Sequence, residues 1–448
     1  MFKKVLVANR SEIAVRVIRA CRELGIATVA VYSEADKKAM HVLMADEAYC
    51  IGKARSDESY LRYSEIIYTA LKCKADAIHP GYGFLSENVD FAQLCKTCKV
   101  TFIGPSPEAI AGMGDKAVAR STMTQAGVPV PLGTTHPVND EHRAEHLAAK
   151  IGFPLLLKPS AGGGGKGMRI IHTPAEFPAA LQASKAEAKA AFGDDAVYIE
   201  RFVENARHIE IQILADNYGK TIYCGERECS VQRRHQKLIE EAPSVALNER
   251  LRKKMGAAAV KAARAVNYTG AGTVEFLLDT ENRFYFIEMN TRIQVEHPIT
   301  EAITGIDLVK AQIHIAAGER LNIRQRDVYL QGHAIECRIN AEDPAARFMP
   351  SVGKIKRLYM PGGPGVRVDS HIYSGYAVPH YYDSLLAKII VYGDTRSEAI
   401  ARMKRALREC IIRGVKTTIP FQLQILEDPR FVDGSYSTDL VEQLLETE

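Results

Sequence analysis

Residues 5–24 run Val5-Leu6-Val7, then Ala8-Asn9-Arg10-Ser11-Glu12, then an amphipathic stretch from Ile13 to Leu24. A short β-branched run, a polar turn and a helical period, in that order, form the strand-turn-helix unit from which parallel sheets are built. The unit returns as Thr28 to Val31, a helical pattern, Ala77-Ile78-His79, a second helical pattern, and Thr101-Phe102-Ile103. This alternation predicts an N-terminal doubly wound α/β domain. The first turn has no glycine, so the phosphate-hugging dinucleotide fingerprint is missing and a nicotinamide cofactor loses its main support.

Further along, a helical stretch from Lys116 to Ala126 is broken by Pro129 and Pro131. A compact segment follows: a helix, a strand from Leu155 to Lys158, a loop from Ala161 to Gly167 and a strand from Met168 to Ile171. The expected organisation is therefore an α/β domain over 1–130, a small lid over 131–203 and a mixed α+β domain over 204–448. Within the last, helical patterns run from Glu249 to Val266, Asp307 to Ala317 and Ser397 to Glu409, with Pro361-Gly362-Gly363-Pro364-Gly365 as punctuation.

The 448 residues suffice for two or three domains, and 46% apolar with 25% charged residues is the balance of an ordinary folded chain. Lysine and arginine exceed aspartate and glutamate by only 58 to 54, so no large positive field argues for nucleic acid or an anionic membrane. No apolar run reaches the ~18 residues of a membrane span, and Met1 to Arg10 lacks the long apolar region of a signal peptide. A cytoplasmic protein is expected. Nine scattered cysteines read as reduced core thiols, and the lone pair Cys95 and Cys98 as ordinary packing rather than a zinc site.

The chemistry concentrates in Gly270 to Leu278, Asp279-Thr280-Glu281-Asn282-Arg283, and Phe284 to Asn290, two β-prone runs around a polar turn. A turn centred on Glu281-Asn282 sets Glu275 directly opposite Glu288, with Cβ atoms roughly 4.5–5.5 Å apart, where like charges repel. A divalent cation reverses the sign of that interaction. Magnesium binds through one or two carboxylates plus substrate phosphates, so the pair points to a metal-nucleotide site. Beyond it Glu288, Asn290, Arg292, Gln294 and Glu296 alternate with Met289, Thr291, Ile293 and Val295, which puts the polar set on one face while the chain stays extended.

Two further stretches stand out. Lys158-Pro159-Ser160-Ala161 leads into Gly162-Gly163-Gly164-Gly165-Lys166-Gly167, whose bare backbone N–H groups can approach phosphates, although the spacing is not that of a P-loop. Gln232-Arg233-Arg234-His235-Gln236-Lys237 is a dense cationic run that, taken alone, suits a solvated face. Lys237 and Arg292 together suit a small anion. No Gly-x-Ser-x-Gly elbow occurs.

These residues resemble biotin carboxylase, of the ATP-grasp superfamily. The resemblance runs in order through Asn9 to Ala14, His79 to Asn88, Met113 to Lys116, the glycine loop, Arg233 to Lys237, Glu288 to Pro298 and Glu336 to Asp343. It implies an N-terminal α/β domain, a mobile lid and a C-terminal domain. It assigns Lys116 and Lys158 to ATP phosphates, Gly163, Gly164, Gly165, Lys166 and Gly167 to the closing lid, and the segment holding Glu200, Arg201 and Val203 to adenine. His208, Gln232 and His235 would line the nucleotide site, and Glu275, Glu288 and Asn290 would hold Mg²⁺ or Mn²⁺. Lys237, Arg292, Gln294 and the Val295 backbone would hold bicarbonate. Glu296 would be the general base, Arg338 would face the biotin ureido oxygen, and Tyr82 would contact biotin.

The implied reaction joins bicarbonate to the ATP γ-phosphorus as carboxyphosphate, which releases CO₂ to biotin inside a closed site. The resemblance also implies biotin on a separate biotin carboxyl carrier protein, since the Glu-Ala-Met-Lys signature of fused carriers is missing. It further implies carboxyltransferase partners, a homodimer, and a place in acetyl-CoA carboxylase and fatty-acid synthesis, with pyruvate, propionyl-CoA or another acyl-CoA as the alternative acceptor. The chain departs from the family at Ser11, where glycine is usual, at Lys166, where arginine is common, and at Pro364, in a turn that lies near a dimer contact with Arg19 and Glu23 in several relatives.

Overall fold

The computed structural model describes residues 1–134, 136–138, 140–159 and 168–446. Gly163, Gly164, Gly165, Lys166 and Gly167 lie outside the described residues. The N-terminal sheet has five parallel strands in the order Glu47–Gly52, Ala27–Ser33, Lys4–Val7, Ala77–His79, Thr101–Phe102. Val5, Leu6 and Val7 are all fully buried, as a parallel strand covered on both faces must be. Helix Ser11–Glu23 covers one face with Ile13, Ala14, Val17, Ile18 and Cys21. Ser11 has φ of 64°, a left-handed conformation that explains the family's glycine, and its hydroxyl lies 2.9 Å from His371 Nδ1.

The segment read from the sequence as a lid holds a three-stranded antiparallel sheet, Arg169–Ile171, Leu155–Pro159, Val197–Arg201, backed by helices Glu141–Ile151 and Phe177–Phe192. Leu155, Leu157, Ile171, Phe177, Leu181, Val197 and Ile199 give it a hydrophobic core of its own.

The largest sheet has eight antiparallel strands: Phe284–Asn290, Gly270–Leu278, Arg207–Ala215, Thr221–Arg233, Gln236–Ala242, His333–Asn340, Leu385–Gly393 and Val366–Ser370. One end packs on helix Glu249–Ala265 through Ile211, Ile213, Met255 and Ala259; the other packs on helices Arg396–Glu409 and Ile419–Glu427 through Ile335, Ile389, Met403 and Ile425. The sheet thus carries one polar surface from the hairpin at 270–290 to Arg338.

All nine cysteines are free thiols, and burial pushes Cys95 up to about 12, which leaves it inert. Among the described residues no helix is long and apolar enough to cross a membrane.

Candidate active site

Strand Arg207–Ala215 reads Arg207-His208-Ile209-Glu210-Ile211-Gln212-Ile213, an alternation that buries isoleucines on one face and aims His208, Glu210 and Gln212 from the other. Pairing across the sheet lines up Glu288, Glu275, Glu210 and Arg227 as direct neighbours on four adjacent strands. Three carboxylates in one row repel, so the row stands only because cations close it. At one end Arg227, fully buried, donates from Nε and Nη2 to Glu210 Oε2 at 3.1 and 3.0 Å. Its remaining N–H groups go to Gln212 at 2.7 Å, Thr300 at 3.0 Å and Thr273 at 2.9 Å. A buried guanidinium satisfied in this way is a rigid support.

Above the row, Lys237 Nζ reaches three carboxylates at once: Glu210, Glu275 at 3.2 Å and Glu296 at 2.7 Å. Burial opposes its charge, but the three acids outweigh burial and hold the ammonium firmly protonated. Burial likewise works to raise Glu275, yet Lys237 and then His208, at 2.8 Å, hold it well below the usual carboxylate range. Glu210 takes the opposite course: burial and the Glu296 charge push it up to about 8. Glu288 opens into the cavity, where enclosure by the walls and the facing Glu275 charge raise it. That opposition makes the pair a fitting seat for a divalent cation, with Asn290 beside it donating to Glu275 at 2.8 Å.

The expected register is present, but its origin differs. The five-residue loop centres on Glu281, and a bulge at Ile287 supplies the extra residue that restores Glu275 to Glu288. The extended polar edge is also corrected. The strand ends at Asn290, and Glu296 lies in a turn at the start of helix His297–Thr304. The even-numbered side chains converge by folding back: Gln294 donates to Glu275 at 2.9 Å, and Arg292 donates to Asn290 at 2.7 Å and to Gln294 at 3.2 Å. Glu87 accepts from Arg292 Nε at 2.9 Å.

A cavity of about 1070 Å³ joins these groups to the lid. Its walls include Lys116, Lys158, Glu200, Arg201 and Val203 at one end, then His208, Gln232, His235, Lys237, Glu275 and Glu288, and Arg292, Gln294, Val295, Arg338 and Tyr82 at the other. Lys158 meets Glu200 at 2.5 Å. The cationic run is a two-residue hairpin turn, with Arg234 at φ 47° and His235 at φ 64°, which delivers His235 and Lys237 to the cavity. The Tyr82 hydroxyl donates a hydrogen bond to Glu12. Glu296 is the exception. It is fully buried behind the wall, its two oxygens taken by Lys237 and by Arg338 Nη2 at 3.0 Å, and burial is outweighed by these cations, which hold it well below the usual range. Arg338 Nε also donates to Glu240 at 2.6 Å.

Sequence reasoning passed over Arg120, Glu210, Arg227 and Glu240. Arg120 bonds Glu200 at 2.7 Å, and its i, i+4 spacing from Lys116 on helix Lys116–Gln125 was a usable signal. Glu210 was legible in the strand alternation around His208. The pairings of Arg227 and Glu240 have no local signature.

The family profile described as "Biotin carboxylase, N-terminal domain" matches residues 1–110, "Carbamoyl-phosphate synthase L chain, ATP binding domain" matches 115–324, and "Biotin carboxylase C-terminal domain" matches 336–443. Biotin carboxylase 1 of Bacillus subtilis is 59% identical over 443 residues, covering 99% of this chain and 98% of the relative. The chain belongs to the biotin carboxylase family. It is therefore an ATP-grasp ligase, and biotin carboxylases of this kind are similar to it throughout their length. The biotin carboxylase domain dimer of Hydrogenobacter thermophilus 2-oxoglutarate carboxylase, with MgADP, ADP and bicarbonate, superposes with a TM-score of 0.95 at 52% identity over 99% of this chain and 98% of that one. A pyruvate carboxylase subunit of Methanothermobacter thermautotrophicus is 55% identical over 99% of this chain and 90% of its own length.

Proposed function

We propose that the chain carboxylates biotin on a separate biotin carboxyl carrier protein at the expense of ATP and bicarbonate, as the first half-reaction of an acetyl-CoA carboxylase. The observation that carries the reading is Lys237 bridging Glu210, Glu275 and Glu296 beside the opposed pair Glu275 and Glu288. An anion-binding ammonium, a buried carboxylate and a two-acid cation seat lie within one side-chain length of each other, which suits activation of a small oxyanion against a metal-bound triphosphate.

In this reading Lys116 and Lys158 hold the ATP phosphates, Glu200, Arg201 and Val203 border the base, and His208, Gln232 and His235 line the nucleotide. Glu275, Glu288 and Asn290 would hold Mg²⁺ or Mn²⁺, which neutralises phosphate charge when bound. Lys237, Arg292, Gln294 and the Val295 backbone orient bicarbonate. Bicarbonate draws Lys237 away from Glu296, and the carboxylate, now facing less positive charge, takes the bicarbonate proton. Arg338 then turns to the biotin ureido oxygen, near Tyr82. Closure of the site around the intermediate would exclude water and protect the mixed anhydride carboxyphosphate.

The cytoplasm, carboxyltransferase partners and a homodimer complete the proposal. The dimer is supported by the Hydrogenobacter thermophilus biotin carboxylase domain, which is a dimer. A second reading has pyruvate as the final acceptor, favoured by the 55% identity to a pyruvate carboxylase subunit. ADP release measured with and without bicarbonate and free biotin tests the shared half-reaction: turnover requires bicarbonate and rises with biotin, and turnover indifferent to bicarbonate refutes it. Reconstitution with carrier and each carboxyltransferase separates the acceptors.

A further inference from the structure

Lys388 is fully buried on strand Leu385–Gly393, directly opposite Arg338 in the sheet register. Its ammonium donates to the Val295 carbonyl at 2.7 Å and pairs with Glu12 at 3.2 Å. Burial opposes the charge, and Glu12, Glu336 and Asp369 restore it. Directly paired residues project on the same side of a sheet, so two cations on neighbouring strands grip two consecutive residues of one turn. Arg338 holds the Glu296 carboxylate, and Lys388 holds the carbonyl of the peptide bond that leads into Glu296. The preceding carbonyl, of Gln294, is taken by the ring Nδ1 of His297 at 2.7 Å. A chain that leaves its strand at Asn290 and enters a helix at His297 is thereby fixed in the intervening turn.

We propose that Lys388 is a positioning residue for the bicarbonate-activating turn, acting through the Val295 carbonyl on Glu296. The inference rests on the function proposed above for Gln294, Val295 and Glu296. A buried lysine is costly, and an apolar side chain of similar size commonly serves packing as well or better. Here the ammonium lies on the one backbone carbonyl whose peptide plane sets the direction of Glu296. Glu12 supplies its counter-charge and is itself held by the Tyr82 hydroxyl.

The test is the double variant Lys388→Met with Glu12→Gln, which removes the hydrogen bond to Val295 together with the charge of the acid paired directly to the ammonium. Biotin-independent, bicarbonate-dependent ATP cleavage is measured beside MgADP affinity. The expected result is a fall in kcat/KM for bicarbonate on the order of 100-fold, the loss that a misplacement of ~1 Å brings, with MgADP affinity within about twofold. A kcat/KM for bicarbonate within about threefold of the parent overturns the inference, as does a parallel loss of MgADP affinity, which marks a general packing role. Should the double variant not fold, Glu12→Gln alone keeps the ammonium but removes the charge that pins it. It is then expected to show the same selective loss at smaller size, and no selective loss there also overturns the inference. If the parent chain cleaves ATP without regard to bicarbonate, the proposed function fails instead, before any variant is compared.

Discussion

Glu275 stands opposite Glu288 because Ile287 is bulged out of the ladder between them. Nearer the loop the pairs are Phe276 with Phe286, Leu277 with Tyr285 and Leu278 with Phe284, a register that by continuation sets Ile287 against Glu275. The bulge therefore exchanges an apolar residue for a carboxylate at the cation seat.

Deleting Ile287 only removes the bulge, because Glu288 then follows Phe286 and stays opposite Glu275; Glu288→Gln is the variant that takes the carboxylate from the cation seat. In that variant MgADP is expected to bind more weakly than in the parent, while metal-free ADP is less affected; calorimetry with and without Mg²⁺ reads the difference. Equal losses in both speak against Glu288 as part of the metal seat.

Glu296→Ala is expected to abolish bicarbonate-dependent ATP cleavage while MgADP affinity persists, since Glu296 lies behind the wall and its carboxylate is hydrogen-bonded by Lys237 and Arg338. Its removal frees Lys237 from one of three acids without disturbing the Glu210 and Glu275 contacts. Loss of nucleotide binding would remove Glu296 from the role of base.

Arg338→Ala should lower biotin carboxylation more than biotin-independent ATP cleavage. Because Arg338 also holds Glu296, the second activity is expected to fall too, by a smaller factor. Steady-state rates with and without free biotin give both numbers, and equal losses place Arg338 outside the biotin site.

Glu241 offers a pH test away from the chemistry. Burial works to raise its pKa, but His333 at 2.6 Å and Arg396 at 2.7 Å outweigh it and lower it from 4.5 to about 2. A depressed carboxylate lends stability above its unfolded pKa and loses it as pH falls through the folded one. The stability gap between the parent and Glu241→Gln should reach about 3 kcal/mol at pH 7 at most, shrink below pH 4.5 and vanish near pH 2. Urea unfolding at pH 7 and pH 3 measures it, and a gap that does not narrow on acidification refutes the assignment.

Much of the architecture was legible because it is written in short-range periods. Val5-Leu6-Val7 followed by an amphipathic stretch becomes strand Lys4–Val7 and helix Ser11–Glu23, and the stretch read from Glu249 to Val266 becomes helix Glu249–Ala265. The hairpin of Glu275 and Glu288 was visible for the same reason. The extended polar edge was misread because period two holds only while the backbone remains a strand, and Asn290 ends it.

From residue order alone follow the faces of strands and helices, the hairpin and the acids it carries, since these depend on side-chain alternation and a few backbone angles. Folding in three dimensions settled the rest: the four-strand row from Glu288 to Arg227, the retreat of Glu296 behind Lys237, and the burial of Lys388 against Val295. Those depend on register across strands far apart in the chain and on which groups lose their water. Packing of many elements at once sets both, and no local period records it.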